Sequence, residues 1–227
     1  MTGTISDWII SGDKQGFSSI NDYHTNKFED YLRLKKSGLP TFEDYITPIE
    51  EFKDANVNLK RFLDSHKTFT VRAIPNTKEL PRRYKIGVKN FEECISFLEK
   101  NIEGNRNNYT VFLTEYERNK YSGIIISNSQ KVLIEIGQGN LDELSHGKDP
   151  LITCRINLDA IGHMQNKIEW IRYNEQNKDL ILRSLKYLEL NHDHFNPLYR
   201  RGYFEFIITE GDKIKFLDFK TNENYLI

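Results

Sequence analysis

The chain has few cysteines and no long hydrophobic run. Only two of its 227 residues are cysteines, Cys94 and Cys154. They give neither a disulfide framework nor the ligand spacing of a zinc site, so both are expected to be small core residues. No apolar run approaches the roughly 20 residues that a membrane-spanning helix needs, so no membrane partner is expected. The first eleven residues lack a basic segment followed by a long apolar one, and the expected location is the cytoplasm.

Neither sign of charge predominates in the sequence. Thirty-two Lys and Arg residues stand against 33 Asp and Glu residues, and the formal net charge is -1. Such a chain has no overall field that attracts nucleic acid or anionic lipid, so no nucleic-acid partner is expected. Any site for a polyanion must therefore be local. The length suits one sizeable domain or two smaller lobes, and either is long enough to enclose a core.

The first part of the sequence predicts two helices. Apolar residues at helical spacing over 16–36 end at Ser37-Gly38-Leu39-Pro40, where glycine followed by proline stops a helix. Thr47 is predicted to be an N-cap, with Pro48 in the first helical position. The second helix then ends near His66.

The rest of the sequence is rich in predicted strands. A strand over 69–74 is followed by a helix that Asn90 caps. Further strands are predicted over 109–114, 121–127, 131–136, 151–158 and 168–173, with a helix over 179–190 and a closing hairpin over 202–220. This alternation predicts an α+β fold with two lobes of mainly antiparallel sheet and helices. The predicted boundary divides the chain into an N-terminal lobe, 1–107, and a C-terminal lobe, 108–227.

The closing hairpin carries two carboxylates on otherwise apolar strands. Two runs rich in Phe and Ile flank a glycine-centred turn at Glu210-Gly211-Asp212, and Glu205 and Asp218 interrupt them. A carboxylate beside buried positions is costly to desolvate unless it is paired, hydrogen-bonded or bound to a cation. Two such acids on neighbouring strands are therefore candidate ligands of a divalent metal.

Two basic residues are candidate anion ligands. Lys14, in Gly12-Asp13-Lys14-Gln15-Gly16, is placed near the free N–H groups of a helix start; the alternative is a solvated lysine in a turn. Arg72 lies inside an apolar strand, where a guanidinium is costly unless it meets a carboxylate or a phosphate. The alternative for Arg72 is an outward-facing position, with Val71 and Ala73 on the opposite face.

Two backbone segments are candidates for contact with a nucleotide. Gly137 and Gly139 follow a strand, and glycine permits close approach of backbone N–H groups to phosphate or ribose. A plain glycine-rich turn is the alternative, because a third glycine and a βαβ context are absent. Glu115 and Tyr116 end a strand at the expected junction of the lobes, where their backbone is in position to face a purine.

Taken in order, these segments resemble the N-terminal ATP-grasp domain of phosphoenolpyruvate synthase and pyruvate phosphate dikinase. Residues 12–17 are similar to that family's GGKGANL segment, and 37–47 to its GxPVPxGFxxT segment. Residues 69–73 are similar to its AVRSS strand, and 79–81 to the EDLP that follows. The likeness continues through 121–125 and 135–147 to the closing hairpin, which resembles the family's D-x-E and LQxR strands.

The resemblance implies ATP and Mg²⁺ as cofactors. It implies that Lys14 and Arg72 contact ATP phosphates, that Glu115 and Tyr116 line the adenine site and that Glu205 binds the metal. The glycine loop with Gly137 and Gly139 would complete the nucleotide site. Phosphoryl transfer needs mainly positioning and charge neutralisation, which such a set of residues supplies.

Three departures from the family pattern bear on the site. Tyr203 stands at the position of the first hairpin acid. Asp218 and Lys220 stand for the Gln and Arg of LQxR, and the hairpin is one residue longer. The serine- and glycine-rich phosphate loop is contracted to 82–85, so basic side chains including Arg83 are expected to replace its backbone donors.

These observations leave three hypotheses. The first is an ATP-grasp protein that binds Mg-ATP between two lobes and passes a phosphoryl group to an unknown small-molecule or protein acceptor, with acyl-phosphate formation as a close variant. The second is a degenerate ATP-grasp scaffold that binds nucleotide or a protein partner without turnover. The third is an α+β binding module with no nucleotide site.

Overall fold

A computed structural model describes most of the chain beyond its first 26 residues. The described residues are 27–52, 57–77, 80–102, 104, 106–128, 130–139, 141, 144, 150–159, 161, 163–165, 167–190 and 197–220. They form two compact units. The smaller unit is Phe42–Arg118, and the larger unit takes the described residues of Met1–Thr41 and Asn119–Ile227.

The described elements number ten strands and five α-helices. The helices are α1 (Lys27–Lys36), α2 (Ile49–Phe52), α3 (Val57–Ser65), α4 (Phe91–Ile102) and α5 (Lys178–Lys186). The first five strands are β1 (Asp44–Pro48), β2 (Phe69–Pro75), β3 (Arg83–Val88), β4 (Tyr109–Glu115) and β5 (Asn119–Ser127). The last five are β6 (Lys131–Gln138), β7 (Ile152–Asn157), β8 (Glu169–Arg172), β9 (Gly202–Thr209) and β10 (Ile214–Lys220). Short 3₁₀ turns lie at Arg106–Asn108 and Glu175–Asn177.

The smaller unit is a four-stranded antiparallel sheet with strand order β1-β4-β2-β3. Its core gathers apolar side chains from one face of the sheet and from α2, α3 and α4. Val71 and Leu113 are fully buried there, and Phe52, Leu59 and Cys94 pack from the helices. Because β4 pairs with β1 and β2, the described chain leaves this unit at Arg118, after β4, whereas the boundary predicted from the sequence precedes that strand.

The larger unit is a six-stranded antiparallel sheet with strand order β10-β9-β5-β6-β7-β8. One face, here called the core face, packs against α1 and α5. Ile134, Cys154 and Phe206 lie on this face, and Leu34 of α1 and Ile181 of α5 are buried against it. The side chains that alternate with these point to the other face, here called the polar face.

The predicted fold class is confirmed, because the described sheets are mainly antiparallel and combined with helices. Asn90 caps α4 as predicted: its Oδ1 accepts the backbone N–H of Glu93 at 2.9 Å. The closing hairpin is present as β9 and β10. Its turn differs in detail, since Asp212 takes the left-handed conformation, with φ of 57°, and donates its N–H to Thr209 O.

Two local predictions in the smaller unit were wrong. Pro48 is not the first helical residue: Thr47 and Pro48 end strand β1, which pairs with β4 at the sheet edge, and the helix begins at the next residue, Ile49. Proline is tolerated there because an edge strand leaves one row of N–H groups without a ladder partner. Residues 83–85 are not part of a loop but lie in β3, which extends the sheet beside β2.

None of the helices among the described residues is long and apolar enough to cross a membrane.

Candidate functional site

The polar face of the larger sheet carries a row of six residues, one from each strand, of which four have ionisable side chains. The pairing register places one residue of each strand in this row. We call it the acid row; it consists of Asp218, Glu205, Ile124, Glu135, Thr153 and Arg172. Three of its six members are carboxylates, and a basic side chain stands at its far end.

Most of the acid row is shielded from water. Asp218 is 4% exposed, Glu135 2% and Thr153 3%, whereas Glu205 is half-buried. A buried ionised carboxylate is costly unless a positive charge or hydrogen-bond donors compensate it. The row therefore concentrates negative charge where water contributes little to its stabilisation.

Glu205 and Asp218, here called the carboxylate pair, are direct cross-strand neighbours. The phenol of Tyr203 donates a hydrogen bond to Glu205 Oε1 at 2.7 Å. The Lys220 ammonium lies 3.6 Å from Asp218 Oδ2, and its Nζ is 5.6 Å from the centre of the Tyr203 ring. Tyr203 and Lys220 are themselves opposite each other, so the four residues form one block on β9 and β10.

Glu205 and Asp218 are predicted from the sequence to be ligands of a divalent metal, and the register makes them neighbours on adjacent strands. Residues directly opposite on antiparallel strands have Cβ atoms about 5 Å apart, within reach of one shared cation. Mg²⁺ is usually held by one or two carboxylates together with water and substrate phosphates, not by an all-protein cage. In the part of the chain that the structure describes, no group of three His, Cys, Asp or Glu side chains is arranged to hold a metal. A cation here would therefore need oxygen ligands from outside the protein.

Basic side chains lie next to the acid row on the same face. Lys220 and Tyr203 belong to the adjacent row, which continues to Arg155 and Glu169. Arg155 Nη1 is 3.7 Å from Glu169 Oε2. Burial lowers the pKa of Lys131, and the nearby charge of Arg155 lowers it further. Between Tyr203 and Arg155 the adjacent row holds Ile126 and Leu133, which form a buried apolar cluster with Ile124 and Leu144 on the same face.

The two glycines after β6 have defined places in the larger unit. Gly137 is opposite Ser122, and a Cβ built on it would lie 3.2 Å from Leu144 Cδ1. Gly139 has φ of 92°, a conformation that favours glycine, and its carbonyl accepts a hydrogen bond from Asn119 Nδ2 at 2.6 Å. Its N–H donates to Lys120 O at 3.5 Å. These contacts hold Gly139 in the fold, and the nucleotide role of Gly137 and Gly139 stays a prediction.

Arg72 faces outward from β2, which is the second of the two orientations considered for it from the sequence. Val71 and Ala73 are fully buried on the core side of β2, and Arg72 is exposed on the other side. Its Nη1 donates to Thr114 Oγ1 of β4 at 2.7 Å. The guanidinium is therefore oriented by the neighbouring strand while remaining open to solvent.

The basic segment after β2 is part of the sheet edge. Arg83 is exposed in β3. Lys85 Nζ is 2.6 Å from Glu93 Oε1 on α4, and this contact ties the edge strand to the helix. Lys85 is partly buried and already pairs with Glu93, whereas Arg83 is exposed. Of these two basic residues, Arg83 is therefore the one more accessible to an anion.

Glu115 and Tyr116 stand at the end of β4, just before the chain passes into the larger unit. The N–H of Glu115 donates to Glu43 O at 2.9 Å, and that of Tyr116 donates to Thr68 O at 3.2 Å. Both N–H groups are thus used within the smaller unit. The Tyr116 carbonyl also accepts a hydrogen bond from Thr68 Oγ1 at 3.4 Å, and the nucleotide role of both residues stays a prediction.

Lys14 and its glycine-flanked segment lie outside the described residues. Glu135 is not among the site residues predicted from the sequence, although β6 contains Ile134-Glu135-Ile136, an acid between apolar residues like Glu205. Tyr203 and Lys220 enter the sequence-based predictions only as departures from a family pattern. Their contacts with the carboxylate pair depend on the cross-strand register, which a single sequence does not provide.

The chain was compared with known proteins. No protein-family model matches the sequence, and no curated protein matches it. Solved structures with a partly similar fold include the D-alanine-D-alanine ligase from Coxiella burnetii, with 10% identity and a TM-score of 0.42 over 86% of this chain and 47% of that chain. D-alanyl-alanine synthetase A from Vibrio cholerae is 14% identical, with a TM-score of 0.45 over 86% of this chain and 54% of that chain.

A RiPP-associated ATP-grasp ligase from Chryseobacterium gregarium gives 12% identity and a TM-score of 0.40, over 84% of this chain and 50% of that chain. The present chain therefore spans about half the length of the structures it matches.

Proposed function

We propose that this chain is an ATP-grasp-like protein that binds Mg-ATP and transfers a phosphoryl group to an acceptor, either directly or by forming an acyl phosphate. The observation that carries the proposal is the carboxylate pair, in which Asp218 is buried and directly opposite the half-buried Glu205. Two carboxylates on one sheet face supply what a nucleotide-bound Mg²⁺ takes from a protein. The acceptor is a small molecule or a protein.

The chemistry needs little beyond positioning and charge neutralisation. Bound Mg²⁺ would neutralise charge on the ATP phosphates and hold their oxygens in place. Glu205 and Asp218 would hold that ion on the polar face of the larger sheet. Tyr203 fixes the Glu205 carboxylate through its hydrogen bond of 2.7 Å, so this ligand is oriented before any ion binds.

Further residues enter the proposal through the sequence resemblance. Lys14, Arg72 and Arg83 are proposed to contact the phosphates, and Arg72 has an exposed guanidinium oriented by Thr114. Glu115 and Tyr116 are proposed to line the adenine site. Gly137 and Gly139 remain proposed nucleotide contacts, although the hydrogen bonds of Gly139 favour a structural role.

The second candidate function is a nucleotide-binding scaffold without turnover, or a scaffold that binds a protein partner. A specific observation favours it: the carboxylate pair already contacts the Tyr203 hydroxyl and the Lys220 ammonium. A protein group near each carboxylate competes with a cation for the same oxygens. The two candidates differ in whether nucleotide is consumed.

Nucleotide binding is tested by thermal unfolding of the full chain with 5 mM ATP, with and without 10 mM MgCl₂. A ligand present at about 100 times its dissociation constant stabilises the native state by about 2.7 kcal/mol. We expect a rise in melting temperature that needs both ATP and Mg²⁺. Glu205→Gln should remove the Mg²⁺-dependent part, whereas Glu210→Gln, in the exposed hairpin turn, should retain it. Absence of any shift in the native chain would reject both nucleotide-binding candidates.

Turnover is tested separately, by measuring ADP release with a panel of amino acids and other carboxylic acids in the presence of hydroxylamine. In acyl-phosphate formation a carboxylate oxygen attacks the γ-phosphorus and ADP leaves, and hydroxylamine converts the acyl phosphate into a hydroxamate. Hydroxamate and ADP in equal amounts would support ligase-type chemistry. ATP-dependent stabilisation without ADP from any acceptor would favour the non-catalytic scaffold.

A further inference from the structure

Two aromatic rings at the free edge of the larger sheet enclose the ammonium of Lys178. Lys178 Nζ lies 4.3 Å from the centre of the Tyr173 ring and 5.3 Å from the centre of the Trp170 ring. The two rings are 5.6 Å apart between centres, with an angle of 53° between their planes. Glu175 Oε1 accepts a hydrogen bond from the same ammonium at 2.7 Å. We call these four residues the lysine clasp.

The start of α5 does not by itself favour the positive charge of Lys178. Lys178 is the first residue of this helix, where the free N–H groups carry partial positive charge and disfavour a cation. The preceding residue, Asn177, makes no side-chain capping hydrogen bond. The electron-rich faces of the two rings and the Glu175 carboxylate compensate the ammonium instead. Lys178 is therefore held by the clasp and not by the helix.

The clasp joins the edge strand β8 to α5. β8 has four residues, and in the described sheet it pairs with β7 alone, through a ladder whose register shifts between Thr153 and Cys154. Trp170 lies in β8 and packs against the core of the larger unit, and Tyr173 follows the last residue of the strand. A short edge strand with an interrupted ladder opens more easily than the rest of a sheet. The clasp gives β8 a second attachment, to a helix.

β8 also carries Arg172, the basic end of the acid row. Arg172 is opposite Thr153, and its Nη1 donates to Pro150 O at 3.0 Å. Trp170 and Arg172 are two positions apart, so an attachment that fixes Trp170 also fixes the backbone that presents Arg172. The clasp, on the core side of β8, thereby helps to determine where the acid row ends on the polar face.

We propose that the lysine clasp is a charge-sensitive latch: the positive charge of Lys178 keeps β8 attached to α5, and loss of that charge releases β8 and the end of the acid row. The inference does not depend on nucleotide binding. It makes Lys178 a positioning residue. Methylation of a lysine keeps its charge and acetylation removes it, so the first modification should preserve the latch and the second should open it.

The experiment installs a charged and a neutral side chain of equal length at position 178. In Lys178→Cys, the new thiolate displaces bromide from 2-bromoethylamine or from 2-bromoethanol, which places an ammonium or a hydroxyl where the lysine ammonium was. Burial raises the pKa of the Cys94 and Cys154 thiols to about 12, so the folded chain is alkylated at position 178, and its mass verifies a single addition. Amide hydrogen exchange of the full chain then measures the protection of residues 168–173.

We expect the ammonium derivative to match the native protection of β8 within about twofold and the hydroxyl derivative to exchange at least about fivefold faster there. The protection of β10, the other edge strand of the same sheet, should not change. Lys186→Cys, in the last turn of α5, is the matched control, and neither of its derivatives should alter β8. Tyr173→Leu removes the nearer ring while Lys178 stays, and it should speed exchange in β8 as the hydroxyl derivative does.

Equal protection of β8 in the ammonium and hydroxyl derivatives would overturn the inference. An equal loss of protection in β8 and β10 would also overturn it, because general destabilisation would then explain the result. If Lys178→Cys does not fold, Lys178→Arg and Lys178→Gln take the places of the charged and the neutral side chain, with the same expected difference. Native protection of β8 in Lys178→Gln would then reject the latch.

Discussion

Asp218 lies directly opposite Glu205 because of an irregularity in β10 between Phe216 and Asp218. Phe216 faces the core, opposite Phe206, and two residues of regular strand would turn residue 218 to that same face. The register shift at Leu217 changes the alternation, so Asp218 reaches the polar face while Phe219 returns to the core. The extra hairpin residue noted in the sequence is thus accommodated as a β-bulge, and this bulge creates the carboxylate pair.

Deletion of Leu217 should therefore leave the carboxylate pair intact. Without this residue, Phe216 and Asp218 become adjacent and alternate regularly, with Asp218 still opposite Glu205. If the carboxylate pair binds Mg-ATP as proposed, the variant should retain the Mg²⁺-dependent stabilisation by ATP. It should lose less than about 4 °C in melting temperature, which corresponds to roughly 1 kcal/mol for a chain of this size. Thermal unfolding with and without Mg-ATP measures both quantities.

Deletion of Lys215 is the matched control for this prediction. It shortens the same strand by one residue but removes a member of the regular ladder, which would turn Phe216 to the polar face or force a new register. We expect a much larger loss of stability. If the Leu217 deletion were as damaging as the Lys215 deletion, the bulge would not be the element that absorbs the extra residue.

The larger sheet could be read from the sequence because its signals are local. The apolar run of Ile124, Ile125 and Ile126 and the turn at Asp212 each indicate a strand or a hairpin without knowledge of the partner strand. What the sequence does not provide is register, and both the acid row and the contact of Lys220 with Asp218 depend on it. A shift of one residue in β10 would turn Asp218 to the other face without changing any local signal.

The wrong predictions in the smaller unit arose where local chemistry and tertiary pairing disagree. Thr47 and Pro48 have the residue types of a helix start, yet pairing with β4 makes them a strand. Arg83 and Lys85 are too polar to suggest a buried strand, but at a sheet edge one side of the strand is open to water. In both cases the decisive information is the neighbouring strand, not the segment itself.

Gly123→Ala should destabilise the larger unit through a steric conflict with Phe206. A Cβ built on Gly123 would overlap Phe206 Cζ, and the ring is fully buried in the core. We expect a loss of about 1–3 kcal/mol in the free energy of unfolding, the usual range for overpacking a core. Urea unfolding at pH 7 gives this quantity.

A double-mutant cycle with Phe206→Leu separates this conflict from other effects. If the ring is the obstacle, Gly123→Ala should cost less in the Phe206→Leu background than in the native one. Gly137→Ala is the control on the neighbouring strand, since its Cβ would meet the flexible Leu144 side chain at 3.2 Å and should cost less. Strict additivity of Gly123→Ala and Phe206→Leu would contradict the assigned contact.

Glu93 should contribute to stability above its ordinary pKa and lose that contribution in acid. Its Oε1 is 2.6 Å from Lys85 Nζ and its Oε2 accepts the N–H of Lys89 at 3.0 Å. The hydrogen bond from Lys85, followed by that from the Lys89 backbone, lowers the pKa of Glu93 below its ordinary value of 4.5. Because the folded state binds this proton less tightly than the unfolded state, the contribution is present above pH 4.5 and falls as the pH decreases through the lowered pKa.

The measurement for Glu93 is the melting temperature as a function of pH between 3 and 7. Glu93→Gln should be less stable than the native chain at pH 7, and the difference should shrink as the pH falls below 4.5. Glu92→Gln, in the same first turn of α4, is the control and should show a smaller pH-dependent difference. A constant difference between Glu93→Gln and the native chain over the whole range would show that the ionised carboxylate is not the stabilising group.

Arg72→Ala should separate ligand binding from stability. Arg72 is exposed, and the loss of its hydrogen bond to Thr114 should cost about 1 kcal/mol in unfolding free energy. If Arg72 contacts a phosphate, the stabilisation by Mg-ATP should decrease by more than this amount. Arg61→Ala, on the exposed side of α3, controls for the loss of one positive charge. An unchanged response of Arg72→Ala to Mg-ATP would remove this residue from the proposed site.

The two thiols should be unreactive in the native chain and report separately on the two units. Cys94 lies in the core of the smaller unit and Cys154 in that of the larger one, and neither is exposed. Burial raises the pKa of each thiol to about 12, so almost no thiolate exists at pH 8. We expect no fast reaction with Ellman's reagent at this pH and two equivalents after denaturation in guanidinium chloride.

Single variants make this labelling specific to one unit. In Cys94→Ala only Cys154 can react, so the labelling rate follows the opening of the larger unit; Cys154→Ala gives the smaller unit in the same way. If Mn²⁺ replaces Mg²⁺ on the carboxylate pair, it stabilises the larger unit. When opening and closing are fast relative to labelling, Mn²⁺ should then slow the labelling of Cys154 by the factor 1 + [Mn²⁺]/Kd. Mn²⁺ that slowed Cys94 and left Cys154 unchanged would place the cation elsewhere than on the polar face.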